Sequence, residues 1–141
     1  MDLYIFDLRS GDLKNLLNSP HSWEEGATIT PDGKSIVYMS NTASSFNLDF
    51  NNPNWSAQPT ERGYWLLKVG SGKPERLTFF NDKAAPEFIG KRVIVAALDI
   101  SPDGRHLVGT LGVDYGNEKK ANVQLKVILI EFAQALDKWN D

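Results

Sequence analysis

The sequence predicts an all-β chain, built from repeated antiparallel four-stranded sheets and ending in a short C-terminal helix. Two internal repeats lead to this prediction. The segment 30–38 recurs as 101–109, a shift of 71 residues from Pro31 to Pro102. A strand, turn and strand unit at 3–17 recurs at 63–80, a shift of 61 residues from Ile5 to Leu66. Because the two kinds of unit alternate along the chain, together they form one repeated structure of four strands.

The first repeat is a β-hairpin turn. Thr30-Pro31-Asp32-Gly33-Lys34 matches Ser101-Pro102-Asp103-Gly104-Arg105 position by position. Proline sets φ for the first turn position, aspartate bonds to nearby backbone amides, and glycine adopts the positive φ that closes a tight turn. Apolar segments at 27–29 and 93–100 supply the incoming strands, and segments at 36–39 and 107–108 supply the outgoing ones. Each copy therefore predicts two antiparallel strands.

The second repeat is a strand pair. The apolar run at 3–8 is followed by the turn residues 9–12 and a second strand near 13–17. The same order returns at 64–69, 70–73 and 75–78, and a third copy of the first strand lies at 127–132. In chain order these units give a strand pair at 3–17, a hairpin at 26–41, a strand pair at 63–80, a hairpin at 92–112 and a final strand at 123–132.

Two insertions and a C-terminal helix complete the prediction. The longer insertion, 42–62, is rich in Asn, Ser and Pro and separates the second and third strands of the complete unit at 26–80. A smaller one at 114–122 occupies the equivalent place in the next unit. At 133–139, Phe132, Leu136 and Trp139 have the i, i+4, i+7 spacing of an amphipathic helix, which predicts a short helix.

The composition excludes several classes of protein. Of 141 residues, 41% are hydrophobic and 23% are charged, which is ordinary for a globular chain. Fifteen basic against eighteen acidic residues give a net charge of −3 without a dense basic cluster, so nucleic acid is not an expected partner. No apolar run is long enough to span a bilayer, and membrane insertion is not expected. The absence of cysteine excludes thiolate metal sites, disulfides and a cysteine nucleophile.

The repeats resemble the Pro-Asp-Gly blades of TolB and related WD40-like β-propellers, which also occur in the propeller domains of prolyl-oligopeptidase-type peptidases. The family pattern is a Ser-Pro-Asp-Gly turn with a following Lys or Arg, then an aliphatic strand ending near Asp, a Gly-containing turn and Arg-Leu-Thr. The two turns at 30–34 and 101–105 match its first part. Ile5-Phe6-Asp7-Leu8 and Arg76-Leu77-Thr78 match its second part. The resemblance spans nearly the whole chain.

The resemblance implies a single partial propeller domain, 1–141, of about two blades. Segment 3–17 would end one blade, 26–80 would form a complete blade, 92–132 most of a further one, and 133–139 the helix. A closed ring needs more blades than these, so self-association or completion by other blades is expected, or else an open array with protected edges. A start that leads directly into a strand pattern would also be expected of a piece excised from a larger protein. The resemblance alone favours a periplasmic or extracellular parent.

Residues for catalysis, metals or cofactors are not apparent in the sequence. His21 and His106 are far apart, and no Gly-x-Ser-x-Gly segment is present. The segment 70–73 has the composition of a phosphate loop but not its glycine spacing, which indicates a hairpin turn. Asp49 and the asparagines that follow it lack the spacing of a known calcium loop. The acidic pair Glu24-Glu25 indicates local solvation. No catalytic, cofactor or metal site is therefore predicted.

Aromatic residues in and after the long insertion are the candidate binding residues. They are Phe46, Phe50, Trp55, Tyr64 and Trp65. Aromatic side chains on a polar loop give a recognition surface large contact area at low entropic cost, although the same residues are also suited to packing the insertion against its own blade. The expected function is a non-enzymatic module that binds a protein or glycan partner. The alternatives are an excised propeller part of a serine peptidase or polysaccharide-acting enzyme, and a purely structural self-assembling fragment.

Overall fold

The computed structural model describes residues 1–55, 58, 60–71, 73–117 and 120–138. All strands found in these ranges pair antiparallel, and they form three sheets. The strands are β1 (Tyr4–Phe6), β2 (Leu13–Asn15), β3 (Glu24–Ile29), β4 (Ser35–Ser40), β5 (Gly63–Lys68), β6 (Pro74–Arg76), β7 (Arg92–Ile100), β8 (His106–Asp114) and β9 (Val123–Glu131). The prediction of an all-β, antiparallel chain is confirmed.

The sheets contain two, four and three strands in chain order. β1 pairs with β2, the order β3-β4-β5-β6 forms the four-stranded sheet, and β7-β8-β9 form the three-stranded sheet. The insertion 42–62 lies between β4 and β5, and the shorter loop 115–122 lies between β8 and β9. Neighbours in sequence are therefore neighbours in each sheet, which is the pattern of connected hairpins.

The two Pro-Asp-Gly turns have the same hydrogen bonds. Thr30 donates its backbone N–H to the carbonyl of Ser35, and Ser101 donates its N–H to the carbonyl of His106. In each turn the hydroxyl of the first residue donates to the following aspartate, Asp32 or Asp103. This bond from Ser101, together with the Arg105 N–H, lowers the pKa of Asp103 to about 2. The turns are thus repeated in atomic detail.

Both turn glycines have the backbone conformation that the sequence requires. Gly33 has φ of +74° and Gly104 has φ of +68°. In this region a Cβ atom collides with the neighbouring carbonyl, so residues other than glycine are disfavoured. The predicted positive φ is confirmed at both positions.

The core lies between the four-stranded and three-stranded sheets. Alternate residues of β4 and β5 point toward it, and β7 and β8 supply the opposing side. Its fully or almost fully buried members are Val37, Met39, Tyr64, Leu66, Val93, Val95, Leu107, Leu111, Val113, Phe132 and Leu136. Most are aliphatic and come from strands predicted by the repeats, so strand alternation accounts for most of this core.

Tyr64 links the two sheets at a β-bulge. The pairing of β7 with β8 shifts between Val95 and Leu98, and this irregularity leaves the carbonyl of Ala96 accepting a hydrogen bond from Tyr64 Oη at 2.9 Å. Burial raises the pKa of Tyr64 to about 12, so its hydroxyl stays protonated and able to donate. Gly109 on β8 faces the same ring, and a Cβ atom there would lie 2.9 Å from Tyr64 Cζ. The phenol therefore occupies space that a side chain at 109 would fill.

The predicted C-terminal helix at 133–139 is wrong. Among the described residues this region contains only a single 3-10 turn, Leu136–Lys138, and Trp139 lies outside those residues. Phe132 and Leu136 are buried in the core, and Leu136 donates its N–H to the carbonyl of Gly104 at 2.8 Å. The N–H of Lys138 donates to the carbonyl of Ala135, three residues before it, at 3.0 Å, which is the hydrogen bond of a 3-10 turn and not of an α-helix. In the described ranges no helix is long and apolar enough to cross a membrane.

Candidate interaction surface

The long insertion leaves and rejoins one sheet at paired residues. Ser40 at the end of β4 lies opposite Gly63 at the start of β5. Inside the insertion, Gln58 holds Asp49 by two hydrogen bonds of 3.1 Å, one to its backbone N–H and one to its carbonyl. Further on, Arg62 donates its N–H to the carbonyl of Val93 on β7. The insertion is therefore fastened both within itself and to the neighbouring sheet.

Three aromatic rings pack together on this insertion and the segment before β3. The rings of Phe50 and Trp55 have centroids 5.3 Å apart, and the rings of Trp55 and Trp23 are 4.7 Å apart in an edge-to-face arrangement. Such aromatic pairs contribute about 0.5–1.5 kcal/mol each beyond the area they bury. We call Trp23, Phe50 and Trp55 the aromatic cluster; it anchors the outer part of the insertion to the strand-bearing part of the chain.

The guanidinium of Arg62 and the carboxylate of Glu25 contact Trp23 of the aromatic cluster. The guanidinium of Arg62 lies 3.8 Å from the centre of a Trp23 ring, a cation–π contact. Glu25 accepts a hydrogen bond of 2.8 Å from Trp23 Nε1, and its other carboxylate oxygen lies 3.8 Å from Arg62. Burial lowers the pKa of Arg62 while the negative Glu25 opposes that shift, so Arg62 stays charged at neutral pH.

An open cleft adjoins the aromatic cluster. Its volume is about 530 Å³, within the range of small-molecule sites. Pro20 and His21 form one wall, and 47–51 form the other. The lining therefore offers the ring of Phe50, two side-chain amides, the carboxylate of Asp49 and the imidazole of His21. These groups can donate and accept hydrogen bonds beside one aromatic ring, a combination suited to polar molecules that carry some apolar surface.

The structure unites only part of the predicted aromatic set. Phe50 and Trp55 lie together in the aromatic cluster, whereas Phe46 is exposed elsewhere on the insertion. Tyr64 is fully buried between the sheets, where no partner reaches it. Trp65 lies on the other face of β5, since successive strand residues alternate, and within the described residues its Nε1 has no hydrogen-bond partner. The candidate surface therefore includes the insertion but not the strand that follows it.

Trp23, Glu25 and Arg62 are members of this surface that the sequence did not indicate. Trp23 and Glu25 flank the start of β3, and Arg62 stands almost forty positions later at the end of the insertion. Their association depends on the pairing of β3, β4 and β5, which no local spacing reveals. An Arg directly before a strand and after a Pro-containing loop was the one available signal, and it is not specific.

The interpretation of Glu24 as a solvated acid is wrong. Its side chain is 2% exposed; Ser40 Oγ donates to Oε1 at 2.9 Å, and Oε2 has no partner among the described residues. Burial raises the pKa of Glu24, with the Ser40 hydrogen bond opposing the shift. Glu24 is buried because of its position in the fold. It begins β3, opposite Ser40 on β4. The N-terminal segment covers it, and the Met1 carbonyl accepts the Glu24 N–H.

Glu24→Gln should therefore change how stability depends on pH. Because the folded-state pKa lies above the unfolded value, the wild type loses stability as pH rises from the unfolded pKa through the folded pKa, and the glutamine variant does not. On going from acidic to neutral pH, we therefore expect the unfolding free energy of Glu24→Gln to rise relative to that of the wild type. Urea unfolding at a series of pH values measures it, and Glu61→Gln corrects for the lost net charge. Parallel profiles for wild type and Glu24→Gln would contradict this.

The described residues contain no group of three or more His, Asp or Glu side chains placed to hold a metal ion. No family model matches the sequence, and no curated protein matches it.

Proposed function

We propose that this chain is a non-enzymatic binding module, built from TolB-like propeller blades, whose insertion 42–62 presents a ligand cleft. The blade assignment is supported by the four-stranded antiparallel sheet, by the repeated turns and by a second sheet stacked on the first. The observation that carries the function is the cleft beside the aromatic cluster, which Phe50, Asp49 and His21 line together.

A glycan is the ligand class that this chemistry favours. Sugar rings combine apolar C–H faces with many hydroxyl groups, so they suit one aromatic face bordered by amide, carboxylate and imidazole groups. The cleft is open and, at about 530 Å³, has room for a sugar unit of an extended chain, and its polar side chains come from loops. A protein partner would instead be expected to cover the exposed Phe46 as well.

The test is a glycan-array screen followed by calorimetric titration of the best oligosaccharide. We expect Phe50→Ala to weaken binding by about tenfold, as loss of one aromatic contact of roughly 1.4 kcal/mol would do. Asp49→Asn should also weaken it, since a charge-assisted acceptor is lost. Phe46→Ala is the matched control, because it removes an aromatic ring from the same insertion without altering the cleft wall, and it should bind like the wild type.

Two results would contradict the glycan assignment. One is the absence of any oligosaccharide binding by the folded wild type. The other is equal weakening by Phe46→Ala and Phe50→Ala, which would indicate a broad contact across the insertion, as a protein partner makes.

A further inference from the structure

The three-stranded sheet exposes a continuous apolar face. Alternate residues of β9 lie on one side of the sheet, and Val108 lies beside Leu129 in the register of β8 with β9. We call Val108, Leu125, Val127 and Leu129 the distal face; their exposures range from 45% for Val108 to 80% for Val127. Aliphatic side chains exposed together on one sheet face, as distinct from scattered ones, mark an interaction surface.

The repeat identifies the buried counterpart of this face. The turn before β4 matches the turn before β8, so Val37 corresponds to Val108. Val37 pairs with Leu66 on β5, just as Val108 pairs with Leu129 on β9. Val37 and Leu66 are buried because the three-stranded sheet packs on them. The distal face is thus the repeat equivalent of the surface around Val37 and Leu66. That surface is covered by the next sheet of the repeat, whereas the distal face is exposed.

The N-terminal strand pair exposes a second apolar face. Tyr4 and Phe6 point to the same side of β1, and Leu13 lies opposite Phe6 on β2. These three residues, here called the proximal face, are each more than half exposed. In the repeat, Tyr4 and Phe6 correspond to Trp65 and Leu67, on the side of β5 turned away from the three-stranded sheet. The proximal face therefore has the opposite orientation to the distal face.

We propose that the distal face of one copy of this chain docks on the proximal face of a second copy, head to tail. The packing of the three-stranded sheet on the four-stranded sheet within one chain is the precedent. There, the face around Val37 and Leu66, which is equivalent to the distal face, is covered by another sheet of the repeat. When the distal face of one copy contacts the proximal face of another, one proximal face and one distal face remain free at the two ends of the dimer. The assembly therefore either closes into a ring or continues as a chain of copies. The proposal is independent of the ligand cleft.

Analytical ultracentrifugation over a concentration series tests the proposal with two single-face variants. Val127→Lys places a charge in the distal face, and Phe6→Lys places one in the proximal face. We expect wild type to exceed the monomer mass increasingly with concentration, and each variant alone to be monomeric. Mixed in equal amounts, the two variants should form a dimer and nothing larger, because only one intact distal and one intact proximal face remain to meet.

Gln124→Lys is the matched control, since it adds the same charge to β9 on the side opposite Val127. It should associate like the wild type, and circular dichroism should show all variants folded. A monomeric wild type would overturn the proposal, as would a mixture that stays monomeric. Association of Phe6→Lys as strong as that of wild type would also overturn it, because it would indicate distal-to-distal pairing.

Discussion

Gly109→Ala is expected to lower the free energy of unfolding by about 3 kcal/mol, at the upper end of the usual cost of overpacking a core. The added Cβ would overlap Tyr64 Oη and lie 2.9 Å from Tyr64 Cζ, closer than real Cβ contacts come. The ring cannot withdraw freely, because its hydroxyl donates to the Ala96 carbonyl and the ring itself is buried between the sheets. Chemical denaturation followed by circular dichroism measures the loss.

A double-mutant cycle separates this steric effect from a general intolerance of side chains in β8. Tyr64→Leu removes Oη and Cζ, at the cost of a hydrogen bond and some packing. In that background Gly109→Ala should cost much less than it does in the wild type, so the two changes should be strongly non-additive. If their costs simply add, the close approach of Tyr64 to Gly109 is not what requires glycine.

Gly33→Val and Gly104→Val should each destabilise the fold by roughly 2 kcal/mol, because both glycines have positive φ and a β-branched residue resists that conformation. The cost should be larger at Gly104. A Cβ there would already contact Ala135 Cβ and the Leu136 nitrogen at 3.5 Å, whereas a Cβ at Gly33 meets nothing within 4 Å. Thermal unfolding of both variants measures the difference.

Asparagine provides the control for the turns, since it tolerates positive φ better than other non-glycine residues. Gly33→Asn should therefore lose much less stability than Gly33→Val. Variants Gly33→Val and Gly104→Val that both melt like the wild type would show that the repeated turns do not depend on their glycines.

The strands and turns were predictable because their signals are local. Alternating apolar residues and a Pro-Asp-Gly turn depend only on neighbours, so the sequence places β4, β9 and the start of β8 within a residue or two. β8 itself continues to Asp114, beyond the predicted segment 107–108. The C-terminal segment was not predictable in this way. Its apolar spacing fits a helix, but the 101–104 turn binds the Leu136 N–H from more than thirty residues away.

The candidate surface was predictable only where its residues are close in sequence. Phe50 and Trp55 belong to one insertion, so their association follows from composition. Trp23 and Arg62 meet because β3, which follows Trp23, and β5, which follows Arg62, both pair with β4. Tyr64 and Trp65 are adjacent aromatic residues, and sequence alone does not decide which of them faces the core. The register of β5 decides it, and the bulge in β7 gives the buried phenol its acceptor.

The paired ends of the insertion, Ser40 and Gly63, have an evolutionary consequence. Since these residues pair directly with each other, the pairing of β4 with β5 is complete up to the base of the insertion and does not depend on the conformation of the residues between them. The entropic cost of a loop grows slowly with its length, so exposed residues of the insertion can be gained, lost or exchanged at little expense to the fold. The surface of this loop can thus change while the sheets that carry it remain unchanged.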